Sequence, residues 1–355
     1  MNKYLSIKLN VISFFSMVMV VFLHSYNVVV NLNTQNIELN RGYSSFFQDF
    51  FSQGITRIAV PLFFLISGYL FFLNIKGAPG EFISKFKKRL KTIVLPYLFW
   101  SVWGLLLFFI LQTLPQSKNF FTNELIRDYS VRELLATIFL DPIPYQLWFI
   151  RDLIVLIFLS PILYYLIRSI KYATLLVFLF AWLGNFNFIV FSNESLLFFG
   201  IGAFLGIENK NLFQIGLSAK AWIYIYLWIA MVLSKTILVY LEFQNTLLIT
   251  VLHKSGILIG FLAVWSLYDN LFKNKDFTKH KIHCIFSFSF FLFVFHEPIL
   301  IILKKGLFFV LGKGEFVSLL VYITAPLLTI FISVFIGHCL KRITPKFYGL
   351  ITGGR

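Results

Sequence analysis

Long apolar stretches separated by short polar and basic segments run through the whole chain. Windows of about 20 apolar residues have the length that an α-helix needs to cross a bilayer. The expected spans are 9–30, 51–73, 93–114, 146–167, 173–190, 194–208, 221–241, 248–271, 284–304 and 317–340. The pattern therefore predicts an all-α, polytopic integral membrane protein with about ten transmembrane helices, in a single domain over residues 1–355.

Composition and charge agree with that prediction and add an orientation. Of the 355 residues, 59% are hydrophobic and only 13% are charged, whereas about a quarter are charged in a soluble protein. The net charge is +16, and Lys and Arg collect in cytoplasmic loops. If both termini are cytoplasmic, 20 of the 31 basic residues fall on that side, which predicts an N-in, C-in topology. With no basic soluble domain, the expected partner is membrane lipid and not nucleic acid.

Ionisable residues recur at one depth of the predicted helices, roughly 10 Å below the outer surface by helix rise. Such residues are costly in lipid and usually face a bundle interior or a wet cavity. The layer comprises His24, Arg57, Arg151, Asp152, Lys235, His253, Lys254, His296 and Glu297. We interpret it as a polar cavity open to the extracytoplasmic side. Two alternatives stay open: the arginines neutralise the two acidic residues inside the bundle, and the two lysines extend to the lipid headgroups.

The stretch VVFLHSYN, residues 20–27, places a histidine near the end of the first apolar run. Histidine titrates near neutral pH, so His24 is a candidate general base. His296 and Glu297 are adjacent in sequence. Neighbours on a helix point about 100° apart, so we do not expect both to face one spot unless Pro298 disturbs the turn.

The basic segment KFKKRLKTIVLPY, residues 85–97, precedes the third predicted span. Lys88 and Arg89 are candidates for a clamp on the phosphates of a cytoplasmic anionic substrate. The alternative is the ordinary excess of positive charge in a cytoplasmic loop.

Four motifs give the chain a resemblance to a known family over nearly its whole length. They are RIAVPLFFLISGYLFF (57–72), the basic run ending at Pro96, YQLWFIRDLIVLIFLSPIL (145–163) and FSFSFFLFVFHEPIL (286–300). In order and spacing the chain resembles the membrane-bound acyltransferase family 3, in particular bacterial members that O-acetylate or O-succinylate surface polysaccharides. The resemblance implies a multi-pass protein of the bacterial inner membrane. It also implies a cytoplasmic acyl-CoA co-substrate, with acetyl-CoA expected before succinyl-CoA, a glycan acceptor, no bound cofactor and no metal.

The resemblance also implies roles for individual residues. His24 matches the family's essential histidine, and Arg89 matches an arginine just before the third helix, which with Lys88 would bind acyl-CoA. A sugar hydroxyl would attack the thioester after losing its proton to His24. The residues assigned to substrate binding are Arg57, Trp148, Arg151, Asp152, His296 and Glu297. Arg57 or Arg151 would stabilise the developing oxyanion.

Two positions depart from the family pattern. The family usually has a basic residue eleven positions before the histidine and an acidic residue three positions earlier, but this chain has Ser13 and Asn10. Either Lys8 or another helix replaces the basic group, or the acyl donor is handled differently, or the protein has lost its activity. The departure keeps an inactive relative among the hypotheses, and a glycan or organic-anion transporter is the hypothesis from another functional class.

Overall fold

The computed structural model describes residues 3–32, 35–38, 42–114, 124–186, 188, 190–208, 220–272 and 283–354. Helices form nearly all of the described chain, which confirms the all-α prediction; one small two-stranded sheet is added to it. Some basic residues that the charge argument places in the cytoplasm lie outside the described residues, namely Lys210, Lys273, Lys275, Lys279, Lys281 and Arg355.

The elements follow one another with short connections. The sheet consists of β1 (Val29–Leu32) and β2 (Gln35–Glu38). The helices of the first half are α1 (Lys3–His24), α2 (Tyr43–Ser52), α3 (Ala59–Phe72), α4 (Pro79–Arg89), α5 (Leu95–Thr113), α6 (Val131–Phe139), α7 (Trp148–Phe158) and α8 (Ser160–Ile170). Those of the second half are α9 (Tyr172–Leu183), α10 (Asn193–Ile207), α11 (Ala221–Tyr240), α12 (Thr246–Phe272), α13 (His283–Phe286), α14 (Ser289–Leu311), α15 (Glu315–Ile343) and α16 (Pro345–Thr352). Short 3₁₀ turns cover Ile55–Ile58, Ile126–Asp128 and Tyr145–Leu147.

Six helical segments of the described chain are long and apolar enough to cross a membrane, and a seventh is added if one bent pair counts as a span. The chain is therefore a multi-pass membrane protein. Two further apolar helices, α9 and α10, are shorter than a normal span. The count of ten and the N-in, C-in orientation stay predictions.

The fourth predicted span, 146–167, is broken in the structure. Tyr145–Phe158 and Ser160–Ile170 meet at an angle of 63°. Pro161 is the second residue of α8 and lacks the backbone N–H that would continue the helix, so the chain bends at Leu159. A hydropathy window averages over such a break, which is why the sequence predicted one span.

The basic segment before the third span is helical, whereas the predicted third span begins only at residue 93. The Glu81 carboxylate accepts hydrogen bonds from the backbone N–H groups of three preceding residues, each at 3.0 Å, and so caps the start of α4. A π-turn over Leu90–Val94 joins α4 to α5, and Pro96 follows it. Proline removes a hydrogen bond of the regular ladder, and a wider turn accommodates that loss.

The described chain divides into two compact units. The first comprises Met1–Val29, Glu38–Ile66 and Asn209–Val334. Within it, α1 packs along α14 and α2, and α11 packs along α12 over most of their length. Side chains such as Val21, Phe291, Leu292 and Leu300 are fully buried there.

The second unit comprises Val30–Ile37, Ser67–Glu208 and Phe335–Arg355. Its centre is α10, which is buried from Ser195 to Ile207 except for Ile201. A Cβ on Gly206 would lie 2.9 Å from the carbonyl oxygen of Tyr69, and a Cβ on Gly68 would lie even closer to the carbonyl oxygen of Phe199 in α10. Glycines on both helices thus allow close backbone packing. The single domain over residues 1–355 stays a prediction.

Candidate active site

The C-terminal end of α1 is fixed by hydrogen bonds from several neighbours in the first unit. The backbone N–H of Ser25 donates to Val21 O at 3.0 Å, which closes the last turn of the helix. The Ser25 hydroxyl donates to the Tyr322 carbonyl at 3.0 Å, and the Ser52 hydroxyl donates to the Phe22 carbonyl at 2.9 Å. His24 therefore sits at a helix end whose backbone is held by α2 and α15.

His24, His296 and Glu297 form a compact cluster. The Nδ1 atom of His24 lies 3.0 Å from Nε2 of His296 and 3.1 Å from Oε1 of Glu297. His296 is fully buried, Glu297 is 3% exposed, and the His24 side chain is 10% exposed. His296 and Glu297, which are adjacent on α14, thus both reach Nδ1 of His24. Their side chains leave the helix about 100° apart, but the glutamate side chain has three rotatable bonds and can turn towards His24. Pro298 follows within the same helix.

Hydrogen bonding decides which nitrogens of the two rings carry protons. Nδ1 of His296 lies 2.7 Å from Phe293 O and 3.1 Å from Leu292 O. Carbonyl oxygens only accept, so that Nδ1 is protonated and the opposite Nε2 of the neutral ring is an acceptor. Nδ1 of His24 must then donate towards His296 and Glu297, which leaves the lone pair of a neutral His24 ring on Nε2.

Lys304 is a residue of this site that the sequence argument missed. Its ammonium donates to the backbone carbonyl of His24 at 2.7 Å. Lys304 follows Glu297 by seven residues, which is two turns of α14, so the two side chains lie on the same face. Lys304 is the last residue of the predicted ninth span, where a lysine normally extends to the headgroups, so hydropathy does not single it out.

The polar residues after His24 belong to a buried network. The four side chains of Asn27, Ser44, Gln48 and Ser318 are at most 1% exposed. Nε2 of Gln48 donates to Asn27 Oδ1 at 3.0 Å and to Ser318 Oγ at 2.9 Å, and the Ser318 hydroxyl donates to Asn27 Oδ1 at 2.7 Å. This network, called here the Asn27 network, joins the segment after α1 to α2 and α15 within the first unit.

Arg57 lies in a different cluster of the first unit. Its guanidinium donates to the side-chain oxygen of Gln53. The ammonium of Lys235 donates to the Gln53 backbone carbonyl at 2.7 Å and lies 3.2 Å from Nδ1 of His253. Lys254 is 6% exposed. The Lys235 ammonium is thus engaged by polar groups inside the unit, and the Lys254 side chain is buried there.

Arg151 and Asp152 lie in the second unit and pair with each other. Nη2 of Arg151 is 3.1 Å from Asp152 Oδ1, and Nη1 is 3.1 Å from Asp141 Oδ1. The other oxygen of Asp152 accepts from the backbone N–H of Ser192 at 2.9 Å. Asp152 is fully buried and engaged at both oxygens. Trp148 is the first residue of α7, less than one turn before Arg151.

Lys88 and Arg89 lie at the end of α4, also in the second unit. Lys88 is exposed and Arg89 is half-buried. Arg89 borders an apolar recess whose other walls are Phe86, Leu90, Ile93, Val94, Ile154, Ile157 and Phe158. The two side chains place positive charge at the end of α4.

Helix α1 contains one buried lysine, Lys8. Of the two positions that depart from the family pattern, Asn10 is exposed and Ser13 is half-buried. The Lys8 ammonium pairs with the Asp269 carboxylate at 2.7 Å and lies 3.8 Å from the centroid of the Trp265 ring. Lys8 is fully buried. A positive group on α1 is therefore present, but it is neutralised by α12.

The atoms of the His24 cluster could also bind a cation by their spacing alone. One ligand atom from each of His24, His296 and Glu297 lies within 4.8 Å of the others. Metal binding would require Nδ1 of His24 to be deprotonated. The hydrogen bonds described above instead need a proton on that nitrogen.

A comparison with known protein families identifies the chain. Residues 7–338 match the model of the acyltransferase domain that defines acyltransferase family 3. The chain belongs to this family. As a family member with several membrane-spanning helices, it is a membrane acyltransferase.

Among curated proteins, this acyltransferase is similar to the succinoglycan biosynthesis protein ExoH of Rhizobium meliloti (strain 1021). The two are 25% identical over 323 residues, which cover 89% of this chain and 84% of the relative. No solved structure matches the chain significantly.

Proposed function

We propose that this acyltransferase transfers an acyl group from a cytoplasmic acyl-CoA to a hydroxyl of a cell-surface or lipid-linked glycan, with His24 as the general base. The arrangement of His24, His296 and Glu297 carries the proposal. Its hydrogen bonds direct the proton of His24 to Nδ1, so Nε2 is the basic nitrogen. Glu297 then stabilises the imidazolium that forms when Nε2 takes a proton.

The proposed reaction transfers one proton and exchanges one bond. The glycan hydroxyl gives its proton to Nε2 of His24, and its oxygen attacks the thioester carbonyl. The tetrahedral intermediate collapses as the carbon–sulfur bond breaks, and the departing thiolate takes the proton back from His24. The products are an O-acyl glycan and free CoA. Positive charge beside the carbonyl oxygen lowers the barrier, and Lys304 is the cation that lies against His24.

The remaining predicted site residues receive supporting roles in this proposal. Lys88 and Arg89 bind the phosphates of the acyl-CoA, because they are adjacent cations at the end of α4 and Lys88 is exposed. Trp148 and Arg151 contact the acceptor, since sugars bind to aromatic faces and to cationic donors. Asp152 orients Arg151 through their ion pair.

The acceptor and the location follow from the same argument. Similarity to a succinoglycan biosynthesis protein supports a surface polysaccharide or its lipid-linked precursor as the acceptor. The acyl group is acetyl or succinyl. A basic cytoplasmic segment and several membrane spans fit the inner membrane of a bacterium. Membership of an acyltransferase family sets aside the transporter hypothesis.

Acyl transfer by the purified protein in nanodiscs tests the proposal and decides whether this relative is active. Labelled acetyl-CoA or succinyl-CoA is supplied with glycan extracted from the native host, and the product is identified by mass spectrometry. We expect transfer by the wild type and a loss of about 10²- to 10⁴-fold in His24→Asn. His338→Asn, an exposed histidine on α15, is the matched control. Full activity of a normally folded His24→Asn protein would show that His24 is not the base.

A further inference from the structure

The short C-terminal helix α16 packs against α5 and against the π-turn that joins α4 to α5, all within the second unit. Its buried residues are Tyr348, Ile351 and Thr352. They are three and four positions apart, so they lie on one face of the helix. This face fixes α16 beside the basic segment, and the acyl-transfer steps above give the helix no role.

Two side chains of α5 hold α16 in place. Nε1 of Trp100 donates to the Ile351 carbonyl at 2.9 Å, and the indole is 4% exposed. The carbonyls of the last turn of a helix have no partner within it, so this hydrogen bond satisfies one of them. The rings of Phe99 and Phe347 pack edge to face, with their centroids 5.7 Å apart.

Gly353 ends α16 directly against the π-turn. Its φ of +68° is the left-handed conformation that favours glycine after a helix. A Cβ at this position would collide with the backbone carbonyl oxygen of Thr92. The end of α16 can approach the π-turn this closely only because residue 353 has no side chain.

The contacted carbonyl belongs to the part of the turn that Pro96 perturbs. In a regular α-helix the carbonyl of Thr92 would accept a hydrogen bond from the N–H of residue 96, which proline lacks. The π-turn runs over Leu90–Val94, and Arg89 is the residue immediately before it. Gly353 therefore touches the chain three residues after Arg89, in the turn that sets how α4 leaves α5.

We propose that Gly353 and α16 position Arg89 for acyl-CoA by holding the π-turn in place. Gly353 is a positioning residue, because it contacts the backbone of the turn and acts on the substrate only through Arg89. A displaced turn would redirect the guanidinium and weaken donor binding, while the proton transfer at His24 would remain. This inference rests on the proposed function and adds a second element to its donor site.

Two neighbouring glycines supply a matched pair of variants. Gly353 and Gly354 both have positive φ, +68° and +75°, so alanine strains the backbone at either position. A Cβ on Gly354 has no atom within 4 Å, whereas one on Gly353 meets Thr92. In the nanodisc assay we expect Gly353→Ala to raise the KM for acyl-CoA about tenfold, with kcat and the KM for the glycan nearly unchanged. Gly354→Ala should keep the wild-type KM.

Trp100→Phe is a second variant that perturbs the same contact without adding an atom to the turn. It keeps a ring at position 100 and removes the donor to the Ile351 carbonyl, so we expect a smaller rise in the same KM. Equal KM values for Gly353→Ala and Gly354→Ala in folded proteins, or a loss confined to kcat, would overturn the inference.

A double-mutant cycle tests whether α16 acts through Arg89. Arg89→Met should itself raise the KM for acyl-CoA, and adding Gly353→Ala to it should raise that KM no further, because effects that share one residue do not add. A purely structural role of α16 would give additive increases, and such additivity would contradict the inference.

A binding measurement separates this inference from the proposed function. If the wild type transfers nothing from either donor, the proposed function fails, but CoA binding can still be measured because a ligand of the folded state raises Tm. A smaller rise in Tm with CoA for Gly353→Ala than for Gly354→Ala supports the inference. Equal rises contradict it. If the wild type transfers the acyl group and the two glycine variants match it, the proposed function stands and the inference fails.

Discussion

At the scale of single residues, the chemistry of His24 depends on two backbone carbonyls of α14. The carbonyls of Leu292 and Phe293 require a proton on Nδ1 of His296, so its Nε2 is an acceptor. Nδ1 of His24, which faces that Nε2, must then carry a proton. The base is thus set by main-chain geometry one helix away and not by residues next to it in sequence. Lys304 acts on the same residue through a hydrogen bond to the His24 backbone carbonyl.

Replacement of Lys304 by Met should lower kcat and leave the KM for acyl-CoA nearly unchanged. The lysine holds the end of α1 and supplies positive charge beside His24, so its loss affects the transition state more than substrate binding. We expect a decrease in kcat of about 10- to 100-fold, corresponding to about 1.4–2.8 kcal/mol. Lys304→Arg should recover part of the rate. An equal loss in both variants, or a change confined to KM, would argue against this role.

Dialysis of the purified enzyme against a chelator should leave acyl transfer unchanged. The three ligand atoms of the His24 cluster are close enough to bind a cation, but the proposed base needs the Nδ1 proton that a metal would displace. The measurement is the transfer rate before and after dialysis, with metal content followed by mass spectrometry. Loss of activity that returns with one added divalent metal would replace the general-base proposal with a metal site.

At the scale of the elements, α1 is fixed to its neighbours at both ends. The Lys8–Asp269 pair ties its first turns to α12, and the hydrogen bonds around Ser25 tie its last turn to α2 and α15. The hydropathy of α1 predicts a membrane helix and nothing about these attachments. The bend between α7 and α8 was missed for a similar reason, since apolar windows do not register the missing N–H of Pro161.

Lys8→Met should destabilise the first unit strongly, because it leaves the buried Asp269 carboxylate without its ion-pair partner. Removal of one partner from a buried pair costs about 3–5 kcal/mol. The double variant Lys8→Met with Asp269→Leu should recover most of that loss, since no buried charge is left behind. Thermal unfolding in detergent measures both. Equal Tm values for the wild type and Lys8→Met would show that the ion pair contributes little.

At the scale of the whole molecule, the sequence predicted the class of the protein and its family better than its internal contacts. Apolar windows and four motifs were enough for an all-α membrane acyltransferase. The layer of ionisable residues was predicted from depth alone, and depth leaves open how each helix is rotated about its axis. His24 meets His296 and Glu297, whereas Arg151 pairs with Asp152 in the other unit.

The N-in, C-in topology predicts which exposed positions react with an impermeant maleimide. Lys87→Cys on α4 and Arg132→Cys on α6 are placed in a background with Cys284→Ser and Cys339→Ser. In intact spheroplasts we expect labelling of position 132 alone, and labelling of position 87 only after permeabilisation. The charge bias is the physical reason, because Lys and Arg are retained on the cytoplasmic side. The reverse labelling pattern would invert the topology and place the acyl-CoA segment outside.

The Asn27 network also constrains how this family can diverge. Its four side chains from Asn27, Ser44, Gln48 and Ser318 set one another's donor and acceptor roles and are shielded from water. A single replacement strands a buried polar group at a cost of about 1–3 kcal/mol. Joint replacement by apolar side chains would still strand the backbone N–H of Asn27, which donates to Gln48 Oε1 at 2.9 Å. We therefore expect relatives that have one of these four side chains to have all of them.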